Sequence, residues 1–512
     1  MGLTGSKTKD SASSNSDSSG ARKHPLLENG DYAKIRARHG ELTKLTQVLV
    51  TVASVQTVPE AAPAPPPIAP GVSSERESSS DANDSSNNSA SKELKQHKSF
   101  KAGEVCSKKL AAVLGVAEDD ATTLARVFRQ NGNTESSIST EIFIDVVANL
   151  VRGSTSDIRR AIFAGALGPN SEGSGASTVT TPELFGQLLQ LLFHAAGNPG
   201  SFESAAMVTG FQVFAEKQAK TDGAEKVNLN FGMFNRWCSA QSPSLQEGLH
   251  KLFNEKILCA EKHGKAAGNI SQSALTQSEI VRPCDAFALA CGDSRASSRW
   301  DLLFSSNKQG MSFDMLAKAL LGYPGPTLVV IQDAEGSVFG GLVSETWQEL
   351  PQFYGKSSSV LTSLRPTFRT ICARTDGSSP GTNHFQFLRC RGKSGIHGLG
   401  FGGDENNPRL WLDRNFENCR AADFDLTYEQ GYLRPANPDG TSGFKPFIIE
   451  AWGFGGDDAA AAQAIETATV DQMRMDRRKV DRKKFAENSF DREMLLGKTF
   501  GHQQQIENRG GR

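Results

Sequence analysis

The 512-residue sequence predicts an α+β multidomain chain: a disordered front, an all-α domain, a mostly antiparallel sheet pair edged by helices, and a C-terminal helix. Three observations predict it. Hydrophobic residues make up 38% of the chain, below the roughly 45–50% of ordinary globular chains, and the deficit lies at the front. From about 103 to 280 apolar residues recur three and four apart, as in amphipathic helices. Beyond 281 short β-branched and aromatic runs separated by turn residues take over.

Residues 1–100 are dominated by Ser, Ala, Pro, Asn and Asp, with AAPAPPPIAP at 61–70 and SSSDANDSSNNSAS at 78–91. Such a segment buries too little apolar surface to offset its ordering entropy, and disorder is expected. Its first six residues, MGLTGS, fit M-G-x-x-x-[ST], in which Gly2 becomes the acylated N-terminus and Ser6 the favoured hydroxyl. Only glycine leaves that amine free of a side chain. One myristoyl chain gives marginal, reversible membrane attachment, and Lys7, Lys9, Arg22, Lys23 and His24 add a thin basic supplement.

Residues 101–280 read as a helical, EF-hand-like domain of seven or eight helices, including EIFIDVVANLVRG, TPELFGQLLQLLFHAA and NFGMFNRWCSA. Calcium binding is not expected. In NGNTESSISTEI, Asn131, Asn133 and Glu135 could ligate, but Ser136 stands where the loop needs Gly and Ile142 where it needs the bidentate Glu. In EGSGASTVTTPE, Glu183 is in place but Ser174 and Ala176 are not ligands.

Residues 281–456 carry strand signals: TLVVI (327–331) and VFGGLV (338–343) as a hairpin, HFQFLRC (384–390), RLWLD (409–413) and FKPFIIEAWGFGG (444–456), with a helix at SFDMLAKALLG (312–322). GLGFGG (398–403) satisfies G-x-G-x-x-G, yet a dinucleotide loop must open a helix within a βαβ unit. DENNP and a strand follow instead. The glycines are expected to let a strand bend and pass close to its neighbours.

This block resembles the TLDc domain family through WDLLFSSNKQGMSFDML (300–316), GPTLVVIQDAEGSVFGGLVSETW (325–347), FYG (353–355), GLGFGGDENNPRLWLD (398–413) and FIIEAWGFGG (447–456). The resemblance implies a two-sheet β-sandwich with flanking helices and no catalytic mechanism. With the Gly2 signal, the helical domain and the helical tail, the chain is similar to the family's myristoylated, lysosome-associated branch. That implies interaction with the vacuolar-type proton ATPase, resistance to oxidative stress and growth signalling. The motif positions are Gly340, Gly341, Glu345 and Trp347, then Gly400, Gly402, Gly403, Trp411 and Asp413, and Trp452. Their expected role is structural or partner-binding. CRAADFD (419–425) departs from the family pattern, which puts that surface's partner contact in doubt.

No cofactor, metal or catalytic motif stands out, and a regulatory protein rather than an enzyme is expected. The net charge of −1 supplies no global field for nucleic acid. Eight cysteines without C-x-x-C spacing suit reduced thiols, no apolar run reaches the ~18–20 residues of a membrane span, and a cytoplasmic protein on lysosomal or vacuolar endomembranes is expected. One alternative is a redox-protective thiol enzyme using Cys372 or Cys390, with Arg369, Arg374, Arg389 and Arg391 near in sequence. Another is a nuclear or nucleolar adaptor using RRKVDRKK (477–484) in the basic tail, 457–512. That tail reads as a helix with a thin apolar stripe of Ile465, Met473 and Val480, suited to docking on a partner.

Overall fold

A computed structural model describes residues 25–55, 105–128, 137–168, 179–224, 226–259, 268–270, 275–374, 384–392 and 395–487. Gly2, the candidate calcium ligands Asn131, Asn133 and Glu135, the loop positions Ser136, Ser174 and Ala176, and the side chains of 477–484 lie outside the described residues. The described architecture is α+β, with helices and two main antiparallel sheets. The chain forms two compact units, one from residues up to 173 together with 250–262, the other from 174–249 together with residues from 263 on.

The first unit is helical: α1 (Asn29–Val55), α2 (Ser107–Leu114), α3 (Ala121–Val127), α4 (Thr140–Arg152) and α5 (Thr155–Phe163), with a two-residue ladder between β1 (Val105–Cys106) and β2 (Ser137–Ile138). Helix α1 departs from the expectation of a disordered 1–100. Ile35, His39 and Leu42, spaced to share one helix face, are buried. His39 packs on Phe143 of α4 with ring centroids 5.3 Å apart, and Arg152 pairs with Asp31 at 2.7 Å. Caps set the starts of α4 and α5: the Ser139 hydroxyl accepts from the Ile142 N–H, and Ser154 and Asp157 form a reciprocal capping box.

In the second unit α6 (Pro182–Ala195), α7 (Ala205–Thr221) and α8 (Phe231–Gln241) precede the β-structure. Helix α9 (Glu247–Lys256) belongs for most of its length to the first unit, and in the second α10 (Pro283–Gly292) leads into β3 (Asp301–Ser305), α11 (Ser306–Gln309) and α12 (Phe313–Leu320). Helix α12 falls where SFDMLAKALLG predicts it. Next come β4 (Thr327–Asp333), β5 (Val338–Val343), β6 (Val360–Arg365), β7 (Arg369–Ile371), β8 (Phe387–Arg389), β9 (Gly398–Phe401), β10 (Leu410–Asp413), β11 (Cys419–Ala421), β12 (Gly443–Phe444) and β13 (Pro446–Gly453).

Six strands in the order β3-β13-β4-β5-β6-β7 and five in the order β12-β11-β10-β9-β8 make two antiparallel sheets. Their inner faces share one core: Val329, Ile331, Phe339 and Ile449 from the larger sheet meet Leu388, Leu399, Phe401 and Leu412 from the smaller, and Phe313, Leu316 and Leu320 of α12 close one side. This is sandwich packing. The sequence reading missed β6, while GLGFGG is, as expected, a strand (β9) that turns sharply at Gly402 and Gly403. Helix α13 (Gly456–Glu487) follows β13. No helix among the described residues is long and apolar enough to cross a membrane.

Candidate functional site

The motif glycines sit where a side chain cannot. A Cβ on Gly340 would lie 2.0 Å from the Val329 carbonyl oxygen, and one on Gly341 would lie 2.5 Å from the Phe401 ring of the facing sheet. On β9 a Cβ on Gly400 would meet Trp411 at 2.8 Å. Gly402 and Gly403, at φ of 66° and 75°, then turn the chain in the left-handed region. Asp404 closes that turn by accepting from the backbone N–H groups of Asn406 and Asn407, and β10 follows antiparallel to β9. No helix opens after the glycines, so the backbone amides of a phosphate cradle are not assembled.

The motif tryptophans are packing posts, and Trp347 and Trp452 have satisfied ring nitrogens. Trp347 donates to the Thr327 hydroxyl at 2.7 Å and stands edge-on to Phe401. Trp452 donates to Glu450 at 3.0 Å and meets Trp300 edge-on. Trp411 packs on Phe387 and Phe353 in a small cluster. Asp413 accepts from the Asn415 N–H at 3.1 Å, and Glu345 pairs with Lys356 near the surface. The structure does not bring these residues together as one reactive centre.

Three buried carboxylates tie distant segments together. Glu450, fully buried, accepts from the Ser278 hydroxyl and the Glu279 N–H, each at 2.7 Å. Asp333 pairs with Arg434 at 2.8 Å. Asp425 pairs with Arg409 at 3.1 Å with both side chains buried. Burial pushes the Asp425 carboxyl above the usual range, with Thr427 and Arg409 opposing.

The two named thiols are not activated. Cys372 counts as exposed by surface area, yet desolvation of its thiol, then Glu429 and Asp293, raise its pKa above the ordinary value. Cys390 is buried and pushed up to about 11 by desolvation, Glu349 and Asp314, against which Arg414 and Arg391 act more weakly. A reactive thiolate needs the opposite balance. Among the described residues no three His, Cys, Asp or Glu side chains converge as a metal site.

Several of the exposed large apolar side chains fall on the loop between β11 and β12. Phe424, Leu426 and Tyr432 are 43%, 57% and 55% exposed, while their alternates Asp425, Tyr428 and Leu433 are buried. The Arg409–Asp425 pair beneath holds the loop, since Arg409 also donates to the carbonyl oxygens of Glu429 and Gly431. Arg374 lies 5.7 Å from the centroid of the Phe424 ring, a cation–π arrangement, and Arg369 flanks Gly431. Exposed aromatic groups interleaved with arginine are what protein-binding hot spots use. The expected signal, CRAADFD, marked this stretch only as a departure from the family pattern.

The sandwich spends most of its motif residues on packing and presents Phe424, Leu426 and Tyr432 with Arg374 at its surface. Residues 271–455 match the TLDc domain and form one. Among curated relatives, MTOR-associated protein MEAK7 of Xenopus laevis is 32% identical over 160 residues, 31% of this chain and 32% of that protein. The protein of that name from Homo sapiens is 34% identical over 138 residues, 26% of this chain and 29% of its own. Oxidation resistance protein 1 of Xenopus tropicalis is 33% identical over 122 residues, 24% of this chain and 13% of that protein. The chain spans about a third of the length of the MEAK7 relatives it matches, and less of the other.

Proposed function

We propose that this protein is a non-enzymatic regulatory adaptor that docks on partner proteins through its TLDc surface and its C-terminal helix, in growth signalling or resistance to oxidative stress. The relatives' names supply those two settings. The observation that carries the docking role is the loop presenting Phe424, Leu426 and Tyr432 beside Arg374 on a domain whose motif residues are otherwise committed to packing.

The partner in this reading is the vacuolar-type proton ATPase at lysosomal or vacuolar endomembranes, reached through acylation of Gly2. Helix α13 supports a detachable arm. Its described contacts with the domain lie near its start, where Ala459 is buried, Asp457 pairs with Arg299 and Gln463 donates to the Ala319 carbonyl oxygen at 2.7 Å. Further along, Ile465, Met473 and Met475 are exposed, apolar surface of the kind a helix-in-groove contact uses.

The test is affinity purification from cells with mass spectrometry, comparing wild type, Gly2→Ala and a chain truncated after Gly456. Pump subunits are expected with wild type and lost in the truncation, and recovery from membranes should fall in Gly2→Ala. Absence of pump subunits from every form, with the intact pump shown to survive extraction, refutes the reading.

A further inference from the structure

Among the arginines lining the clefts on the second unit, Arg369 is the one that no described carboxylate pairs with. Arg365 pairs with Asp285 at 3.4 Å, Arg434 with Asp333, and Arg282 with Glu203. Arg369, on edge strand β7, is half-buried, and among the described residues its guanidinium has no hydrogen-bond acceptor or ion-pair partner. Its electrostatic neighbour is the Tyr432 hydroxyl. It lines a pocket of about 310 Å³ whose other walls include Val213, Pro366, Pro435 and Tyr432. That pocket shares Pro366, Arg434, Pro435 and Ala436 with a cleft of about 550 Å³ that runs on past Glu203 and Asp285. The two form one open groove with rigid proline walls.

The groove has a direction. At the far end Glu203, Asp285 and Glu335 balance Arg282, Arg365 and Arg434. At the Arg369 end the positive charge is uncompensated. A partly desolvated guanidinium gains most from an anion that forms two parallel hydrogen bonds. An open groove walled by proline and tyrosine suits an extended chain, not an enclosed small molecule.

We propose that this groove binds an extended peptide segment of a partner protein, with an aspartate or glutamate carboxylate on Arg369 and apolar residues along Pro366, Pro435 and Tyr432. The site is independent of the identity of the pump as partner.

The experiment is selection from a displayed random-peptide library on the full-length folded protein, followed by fluorescence polarisation with the enriched peptide. The variants are Arg369→Gln and Tyr432→Ala, each checked for an unchanged melting temperature. Enrichment of acidic-plus-apolar sequences is expected. Arg369→Gln should weaken the enriched peptide at least about tenfold, replacing its acidic residue by the amide should weaken it similarly, and the two changes together should cost little more than either. Tyr432→Ala should weaken the peptide and its amide form equally. Three results overturn the site: no enriched acidic sequence, binding indifferent to Arg369→Gln, or additive losses from the two changes. Pump recovery by Arg369→Gln, read separately in the purification above, tells the failure of this site from the failure of the pump reading.

Discussion

Asp425→Ala is the substitution that most directly separates a scaffolded docking loop from a merely exposed one. Asp425 is 1% exposed and its partner Arg409 is 0%. One carboxylate oxygen accepts from Arg409 at 3.1 Å, and the other accepts from the backbone N–H groups of Thr427 at 2.9 Å and Tyr428 at 3.3 Å. Burial moves Asp425 up and Arg409 down in pKa, so the intact pair contributes little net stability. Removing the acid is another matter. The guanidinium stays buried with carbonyl oxygens for company, and uncompensated buried charge costs about 3–5 kcal/mol. Replacing both partners with apolar groups, Arg409→Met with Asp425→Leu, should recover much of that loss. The assay is urea unfolding followed by tryptophan fluorescence, with hydrogen exchange at the 427–431 amides. Asp425→Ala should lower the sandwich transition, expose those amides and weaken partner capture, although Asp425 itself touches no solvent. A loss under about 1 kcal/mol, or a double variant as unstable as the single, refutes the scaffold argument.

Glu450→Gln keeps the shape but turns an NH₂ toward groups that donate, Ser278, Glu279 and Trp452; a loss of about 1–3 kcal/mol in unfolding free energy is expected, and none would show that the segment before α10 is held by other contacts. Gly340→Ala sets a methyl against the Val329 carbonyl, where backbone must yield, and overpacking of about 1–3 kcal/mol should appear as a lower melting temperature. Asp285, pushed up to about 6 by desolvation that Arg365 only partly offsets, has a folded pKa above its unfolded one. Its contribution is therefore fully present below the unfolded value and lost as pH rises through about 6. Relative to Asp285→Asn, wild-type stability should fall across that window by about 3 kcal/mol, and a flat difference from pH 4 to 7 would contradict the assignment. Gln241→Ala should raise self-association measured by light scattering and speed exchange of the Thr370 amide; unchanged scattering and exchange would show that Gln241 does not guard the strand edge.

Much of the sandwich was legible because its strands obey local rules. TLVVI and VFGGLV announce a hairpin by composition, and the turn residues after GLGFGG exclude a phosphate loop without any structure. Other parts were not local. Strand β6, VLTSLR, hides behind Thr362 and Ser363, which are buried polar residues in the middle of the larger sheet. Helix α1 begins among arginines and lysines beside a Ser/Pro-rich stretch, and its burial depends on Phe143 and Arg152, far along the chain. The pairs that shape the loop and groove join Arg409 to Asp425, Asp333 to Arg434 and Ser278 to Glu450, separations of 16, 101 and 172 residues. Nothing in a run of sequence marks which carboxylate will meet which cation once the sheets close.

Those separations bear on where the TLDc unit begins. Strand β7 is an edge strand, and an open edge invites pairing with other chains. Here it is closed by helices that precede the matched family segment. The Ala206 carbonyl oxygen accepts from the Phe368 N–H at 2.9 Å. The Gln241 side chain accepts from the Thr370 N–H at 2.7 Å and donates to its carbonyl oxygen at 3.2 Å, taking the place of a neighbouring strand. Beyond it the Glu429 N–H donates to the Cys372 carbonyl oxygen, and the Arg374 N–H to that of Thr427. Gly210 and Gly292 allow the close approach, since a Cβ on Gly210 would lie 2.3 Å from the Phe368 carbonyl oxygen and one on Gly292 would lie 2.9 Å from that of Gln241. Residues 182–241 are therefore part of the sheet's own structure, which is why the compact unit starts well before residue 271. The same closure places Val213 of α7 and Glu203 ahead of it on the walls of the groove beside Arg369, so a fragment cut at the family boundary would lose both the edge cap and part of the groove wall.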